Sequence, residues 1–170
     1  QLMIPSGSWW GHDVRGIWQD VWLKSYYSKV YIDDVFVKKT STGSPKRIGI
    51  EVTVKNEDGI AHTVQVGHII RDVGYDSPSA VKTMFYNVLT VGASSSETCY
   101  IEQDWDSAQL WWPYDPHLYY LTSFISETGT LLDSQNTRFG FRDFVISGIH
   151  YKLNGTKIRL IGGDSWHYMG

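Results

Sequence analysis

A single cysteine, Cys99, is all the thiol chemistry this chain of 170 residues holds. That excludes an internal disulfide and a cysteine-rich metal site. Cys99 falls in an alternating stretch and reads as a small core residue. Basic charge is equally sparse. No cluster runs longer than Lys38-Lys39, and 18 acidic against 15 basic residues leave a net charge of −3, so no nucleic-acid partner is expected. No apolar run approaches the roughly 20 residues needed to span a bilayer, and no membrane partner is expected. The six histidines, His12, His62, His68, His117, His150 and His167, lack ligand-like spacing such as His-x-x-x-His, so neither a metal nor another cofactor is expected. No stretch shows a helical period of 3.6. A signal-peptide pattern is missing, and Gln1 stands where a methionine would; an upstream segment has been removed, or the sequence starts within a longer protein.

Aromatics are abundant, with 8 Trp and 11 Tyr. They suit β-sheets and would also suit stacking on sugar rings, against the simpler reading of core packing. Residues 47–56 alternate: Ile48, Ile50, Val52 and Val54 on one face; Arg47, Glu51, Thr53 and Lys55 on the other. That is the period-2 pattern of a half-buried strand. Asn56-Glu57-Asp58-Gly59 reads as a hairpin turn, because Asp-Gly accepts positive φ. Further strands are expected at 30–37, 60–72, 81–91, 95–103, 118–127 and 130–138. Seven short strands over roughly a hundred residues predict an all-β chain built on an immunoglobulin-like sandwich of antiparallel strands. The ends fall outside it. Residues 17–25 read as one strand of another sheet, amid Trp9, Trp10, Trp18 and Trp22. Residues 139–146 and 151–161 alternate again, and Asn154-Gly155 is a type I′ hairpin signal.

Four motifs resemble family 2 glycoside hydrolases, the β-galactosidase, β-glucuronidase and β-mannosidase group. They are Gly16-Ile17-Trp18-Gln19-Asp20-Val21-Trp22-Leu23; Leu110-Trp111-Trp112-Pro113 with Pro116-His117-Leu118-Tyr119; Phe139-Gly140-Phe141-Arg142; and the run from Leu153-Asn154-Gly155 to Gly163-Asp164-Ser165-Trp166-His167. Gln19 stands where that family usually has a base, Gly162 where Arg is common, and Asp164 and Trp166 depart from its last motif. The resemblance implies three parts. Residues 1–28 would be the C-terminal tail of a jelly-roll sugar-binding domain, 29–138 the sandwich, and 139–170 the start of a (β/α)₈ catalytic barrel. It also implies a parent enzyme that cleaves terminal β-linked sugars by the retaining route, with carbohydrate and the adjoining domains as partners.

That route needs two carboxyl groups about 5–5.5 Å apart, which the resemblance makes glutamates on later barrel strands. The glutamates present are Glu51, Glu57, Glu97, Glu102 and Glu127, none in the barrel segment, so no catalytic residue is expected here. Asn56-Glu57 is explained by turn chemistry. Asp164, Trp166 and His167 are the substrate-binding candidates. The resemblance sets them at the C-terminal end of the first barrel strand, where barrel active sites form; the other reading is a tail without fixed geometry. His68 falls on an apolar strand face as a hydrogen-bonded core residue. Asn154-Gly155-Thr156 matches a glycosylation acceptor, which the hairpin also explains. Pro113 and Pro116 should enforce an extended corner. One of Trp111 and Trp112 should fill the core, while the other covers a neighbouring domain or offers a sugar platform. Arg138 and Arg142 form either a solvated or locally paired face or a domain-junction salt bridge. Exposed apolar surface is expected near Trp9–Trp22 and from Phe144 to Ile161, where self-association could cover it. The alternative function is a free-standing carbohydrate-binding or adhesion sandwich.

Overall fold

A computed structural model describes residues 20–73 and 79–161. The described residues contain ten strands and no helix. Seven form the sandwich: β1 (Val30–Ser41), β2 (Arg47–Asn56), β3 (His62–Asp72), β4 (Ala80–Val91), β5 (Ser95–Asp104), β6 (Tyr119–Glu127) and β7 (Thr130–Phe139). One sheet runs β1-β2-β5 and the other β4-β3-β6-β7, with every pairing antiparallel. The alternation of β2 is realised as expected: Ile48, Ile50, Val52 and Val54 are fully buried. From the other sheet Val64, Val66 and Ile70 of β3 and Leu121 and Ile125 of β6 turn inward to meet them. Two inner faces interdigitating in this way are what hold a β-sandwich together. Cys99 is buried on β5. At one edge the Ile32 N–H donates across the sandwich to Asp133 Oδ2 at 2.9 Å, tying β1 to β7.

The fourth strand pairs with the third, leaving three strands against four. Antibody constant domains instead join their fourth strand to the first, second and fifth. The turn expected to close a hairpin does something else. β2 and β3 lie in different sheets, so Asn56–Ala61 is a crossover. Asn56 is buried, and its Oδ1 accepts the Asp58 N–H at 2.8 Å while Nδ2 donates to the Ile60 and Gly92 carbonyls. Its amide thereby ties the crossover to the β4–β5 turn.

The core tryptophan is Trp105, not Trp111 or Trp112, which are both half-buried. Trp105 packs edge-on to the fully buried Phe141 (centroids 5.5 Å, 87°) and beside Tyr119 (4.8 Å). Tyr119 opens β6, and its hydroxyl accepts the Gln109 N–H at 2.8 Å, in the manner of the tyrosine corner of immunoglobulin-like sandwiches.

Beyond the sandwich, β8 (Phe144–Ser147), β9 (His150–Leu153) and β10 (Thr156–Ile158) form a small meander. The strand expected over 139–146 is interrupted at 140–143, where Phe141 leaves the sheet to fill the core. The one expected over 151–161 is split by Asn154-Gly155, whose φ values of 51° and 79° are those of a type I′ turn. Residues 20–25 carry no strand, contrary to expectation; Val21, Trp22 and Leu23 are exposed, and no described strand pairs with them. Residues 17–19 of that expected strand lie outside the described residues.

Candidate functional site

The three substrate-binding candidates, Asp164, Trp166 and His167, lie outside the described residues. What is described is the surface from which that segment departs. Trp112 and Asp115 exchange backbone hydrogen bonds of 3.0 and 3.1 Å around Pro113-Tyr114. Pro113 thus sits at the second position of a tight turn, where its fixed φ is favoured, and not in an extended corner. Trp112 and Tyr114 stack with centroids 5.7 Å apart and planes at 17°. With Pro113 they form one wall of a groove of about 530 Å³, and Leu153, Thr156, Ile158, Arg159 and Leu160 form the other.

Asn154 fixes the groove's geometry. Its Oδ1 accepts the Asp143 N–H at 2.9 Å, its own N–H donates to the Asp143 carbonyl at 2.7 Å, and Nδ2 donates to the Trp111 carbonyl at 3.0 Å. One turn-forming side chain therefore locks the meander to the Trp111–Tyr114 loop. Trp111 is held from the other side. Its N–H donates to the Phe141 carbonyl at 2.9 Å, its ring lies on Gly140, and the Arg142 guanidinium sits 5.0 Å above it. A Cβ at Gly140 would come within 2.8 Å of that ring, so glycine is required for the approach. Arg142 here makes a cation–π contact with Trp111, a local pairing.

Three of the described glutamates are engaged in structural work. Glu57 accepts from the Tyr31 hydroxyl and pairs with Lys55, both at 2.9 Å; the Lys55 bond holds its carboxyl below the usual range. Glu127 pairs with His62 and is lowered by that bond. Glu102 pairs with Arg47 at 2.9 Å. A glycosidase acid needs a raised pKa in a desolvated cleft, and Glu57 and Glu127 are shifted the opposite way. His68 is wholly buried and shares a 2.9 Å hydrogen bond with Ser123, as its strand parity predicts.

The core roles of Trp105 and Phe141 and the clamping role of Asn154 are missing from the sequence reading. Trp105 was within reach of it, since Cys99, Ile101, Gln103 and Trp105 keep one parity past the end of β5. No sequence signal shows that the Asn154 amide reaches Trp111, because that contact depends on how the meander folds back.

The model of a protein family described as "Glycosyl hydrolases family 2" matches residues 30–142. None of the curated proteins matches the sequence. Among solved structures, a family 2 glycosyl hydrolase member from Bacteroides cellulosilyticus superposes with a TM-score of 0.68 at 16% identity, over 79% of this chain and 19% of that one. β-Glucuronidase 2 of Bacteroides uniformis gives 0.62 at 21%, over 79% and 17%. A β-galacturonidase from Eisenbergiella tayi gives 0.61 at 20%, over 78% and 22%. At such identities the likeness is one of fold. The chain spans about a fifth of the length of these structures.

Proposed function

This chain belongs to the glycosyl hydrolases of family 2, and from that premise we propose that it is the linking sandwich of a longer enzyme that hydrolyses terminal β-linked sugars. Residues 1–28 are then the tail of a jelly-roll sugar-binding domain, and 139–170 open a (β/α)₈ barrel. The sandwich holds the two together. The parent works by the retaining route, with both catalytic glutamates beyond this chain, and the 170-residue chain by itself is inactive. Asp164, Trp166 and His167 form the first edge of the sugar pocket: Asp164 bonds hydroxyls, Trp166 stacks on the ring and His167 donates a hydrogen bond.

The observation that carries this reading is the family match over 30–142, which coincides with the seven-strand sandwich and the Phe141 that seals it. Apolar exposure at both ends supports it. Leu23 is 98% exposed, and Ile146, Ile149 and Ile161 are 70%, 92% and 96% exposed. Neighbouring domains would cover such surface. Incubating the 170-residue chain with aryl β-glycosides should release no phenol; measurable turnover would refute the proposed location of the glutamates. In the longer enzyme Trp166→Ala should raise KM, and unchanged kinetics would remove Trp166 from the pocket.

A second reading rests on the Trp112–Tyr114 stack beside its groove, which suits a carbohydrate-binding sandwich. Quenching of tryptophan fluorescence by oligosaccharides, abolished in Trp112→Ala, would favour it.

A further inference from the structure

At the pole of the sandwich where the chain enters, a histidine stands between two carboxylates. His62 opens β3. Its Nδ1 lies 3.0 Å from Glu127 Oε2, and its Nε2 lies 3.3 Å from Asp58 Oδ2. A neutral imidazole has one N–H and one lone pair. It can donate to one of these oxygens only, and must turn its lone pair towards the other. The imidazolium donates to both. The geometry itself therefore calls for the charged ring. The His62 pKa is raised accordingly, chiefly by the Glu127 bond, with burial opposing.

Each carboxylate has further attachments. Glu127 ends β6, and its Oε1 accepts the Thr63 N–H at 3.2 Å. Asp58 lies in the β2–β3 crossover. Its Oδ1 accepts from the Gly59 N–H at 2.8 Å and from Lys29 Nζ at 3.2 Å, and its carbonyl accepts the Ser94 N–H of the β4–β5 turn at 3.0 Å. The Glu57 N–H donates to the Lys29 carbonyl at 2.8 Å. Also at this pole are Glu57, Lys55 and Tyr31, which satisfy one another, and Tyr26, whose ring stacks on that of Tyr31 with centroids 3.8 Å apart. Four segments thus meet here: the lead-in at Lys29, the crossover, the β4–β5 turn and the β6–β7 hairpin.

We propose that His62 is a proton-operated clasp: charged, it ties the crossover to the β6–β7 hairpin through Asp58 and Glu127, and on losing its proton it releases Asp58 and loosens the lead-in at Lys29. Asp58 is the side that lets go, because its contact with the ring, 3.3 Å against 3.0 Å for Glu127, is the longer one. The folded-state pKa lies above the ordinary 6.5. The clasp is therefore fully closed below that value and opens as pH rises through the raised one. Protonation then sets how firmly the chain preceding β1 is held, independently of any sugar chemistry.

The test is an NMR titration of His62 with amide exchange measured one pH unit below and one above its observed pKa, corrected for intrinsic exchange. Protection at Glu57 and Ser94 should fall by roughly three- to fivefold, the scale of a surface ion pair. Protection at Trp105, whose N–H donates to the Lys46 carbonyl away from this pole, should not change. In His62→Gln the Glu57 and Ser94 amides should exchange at the faster level at both pH values. A His62 that titrates at or below its ordinary value would overturn the proposal. So would one that titrates without changing exchange at Glu57 and Ser94, an outcome read on the unmodified chain even if the variant folds poorly.

Discussion

His68 is the group most exposed to acid in the thermodynamic sense, because it is the most hidden in the structural one. It lies on the inner face of β3, with no accessible surface, and shares one hydrogen bond with Ser123; its Nε2 meets no partner among the described residues. Burial depresses its pKa from 6.5 to about 4. A base with a lowered folded-state pKa contributes stability that is fully present above the unfolded value of 6.5. That stability is lost as pH falls through the folded value. Each pKa unit corresponds to about 1.36 kcal/mol, so the loss comes to about 2 kcal/mol at pH 5 and about 3 kcal/mol at pH 4. Against a domain stability of about 5–15 kcal/mol this is a large share. The assay is urea unfolding followed by fluorescence at several pH values between about 7 and 4, on the native chain and on His68→Leu. Glu57, Asp58 and Glu127, all held below their usual range, also lose stabilisation as they protonate, but equally in both proteins. The variant starts lower at neutral pH, since Ser123 loses its partner. What decides the matter is the slope: the gap between the two proteins should close by about 3 kcal/mol on acidification. Parallel profiles would mean that His68 is not a desolvated neutral base.

Gly67→Ala should destabilise by about 1–3 kcal/mol, because the new Cβ would strike the Phe124 ring that lies directly across on β6; a double-mutant cycle with Phe124→Ala should show the penalty largely relieved. Asn154→Ala should cost about 2–4 kcal/mol from two lost hydrogen bonds and a left-handed φ without an Asn, and amide exchange should show the loss confined to β8–β10. Tyr119→Phe removes the acceptor of the Gln109 N–H and should lower stability by about 1 kcal/mol, measured as a shift in urea midpoint at unchanged m-value.

Much of the fold is legible because one face of most strands is buried. The run from Ile48 to Val54 could have only one parity, and parity decides which side chains become core. The Asn154-Gly155 turn was equally explicit in kind, and its two residues adopt the positive φ pair of a type I′ hairpin. The Asn56–Gly59 segment failed for a different reason. Turn chemistry fixes the local path of the backbone, not the sheet that the next strand joins. That choice is made by pairing partners some forty to sixty residues away, β5 for β2 and β6 for β3.

The site was legible in a more limited way, and the reason bears on how family motifs are read. Motif residues such as Trp111, Gly140, Arg142 and Asn154 do come together in space, although they span more than forty positions. Their contacts with one another are structural: a ring on a glycine, a cation over that ring, an amide pinning a loop. A family pattern at a domain boundary therefore records two kinds of constraint at once, those that shape the junction and those that touch substrate. In this chain the first kind is seen among the described residues, whereas Asp164, Trp166 and His167 lie outside them and are assigned to the second kind by the family resemblance alone. If they do serve the pocket, substitutions at the junction and in that triplet should separate cleanly in the longer enzyme. Arg142→Ala should lower the unfolding midpoint with KM unchanged, because it removes a cation–π contact worth about 0.5–1 kcal/mol at an exposed site. Trp166→Ala should alter KM with the midpoint unchanged. An Arg142→Ala variant that lost activity at full stability would place the junction itself in the reaction and undo this division.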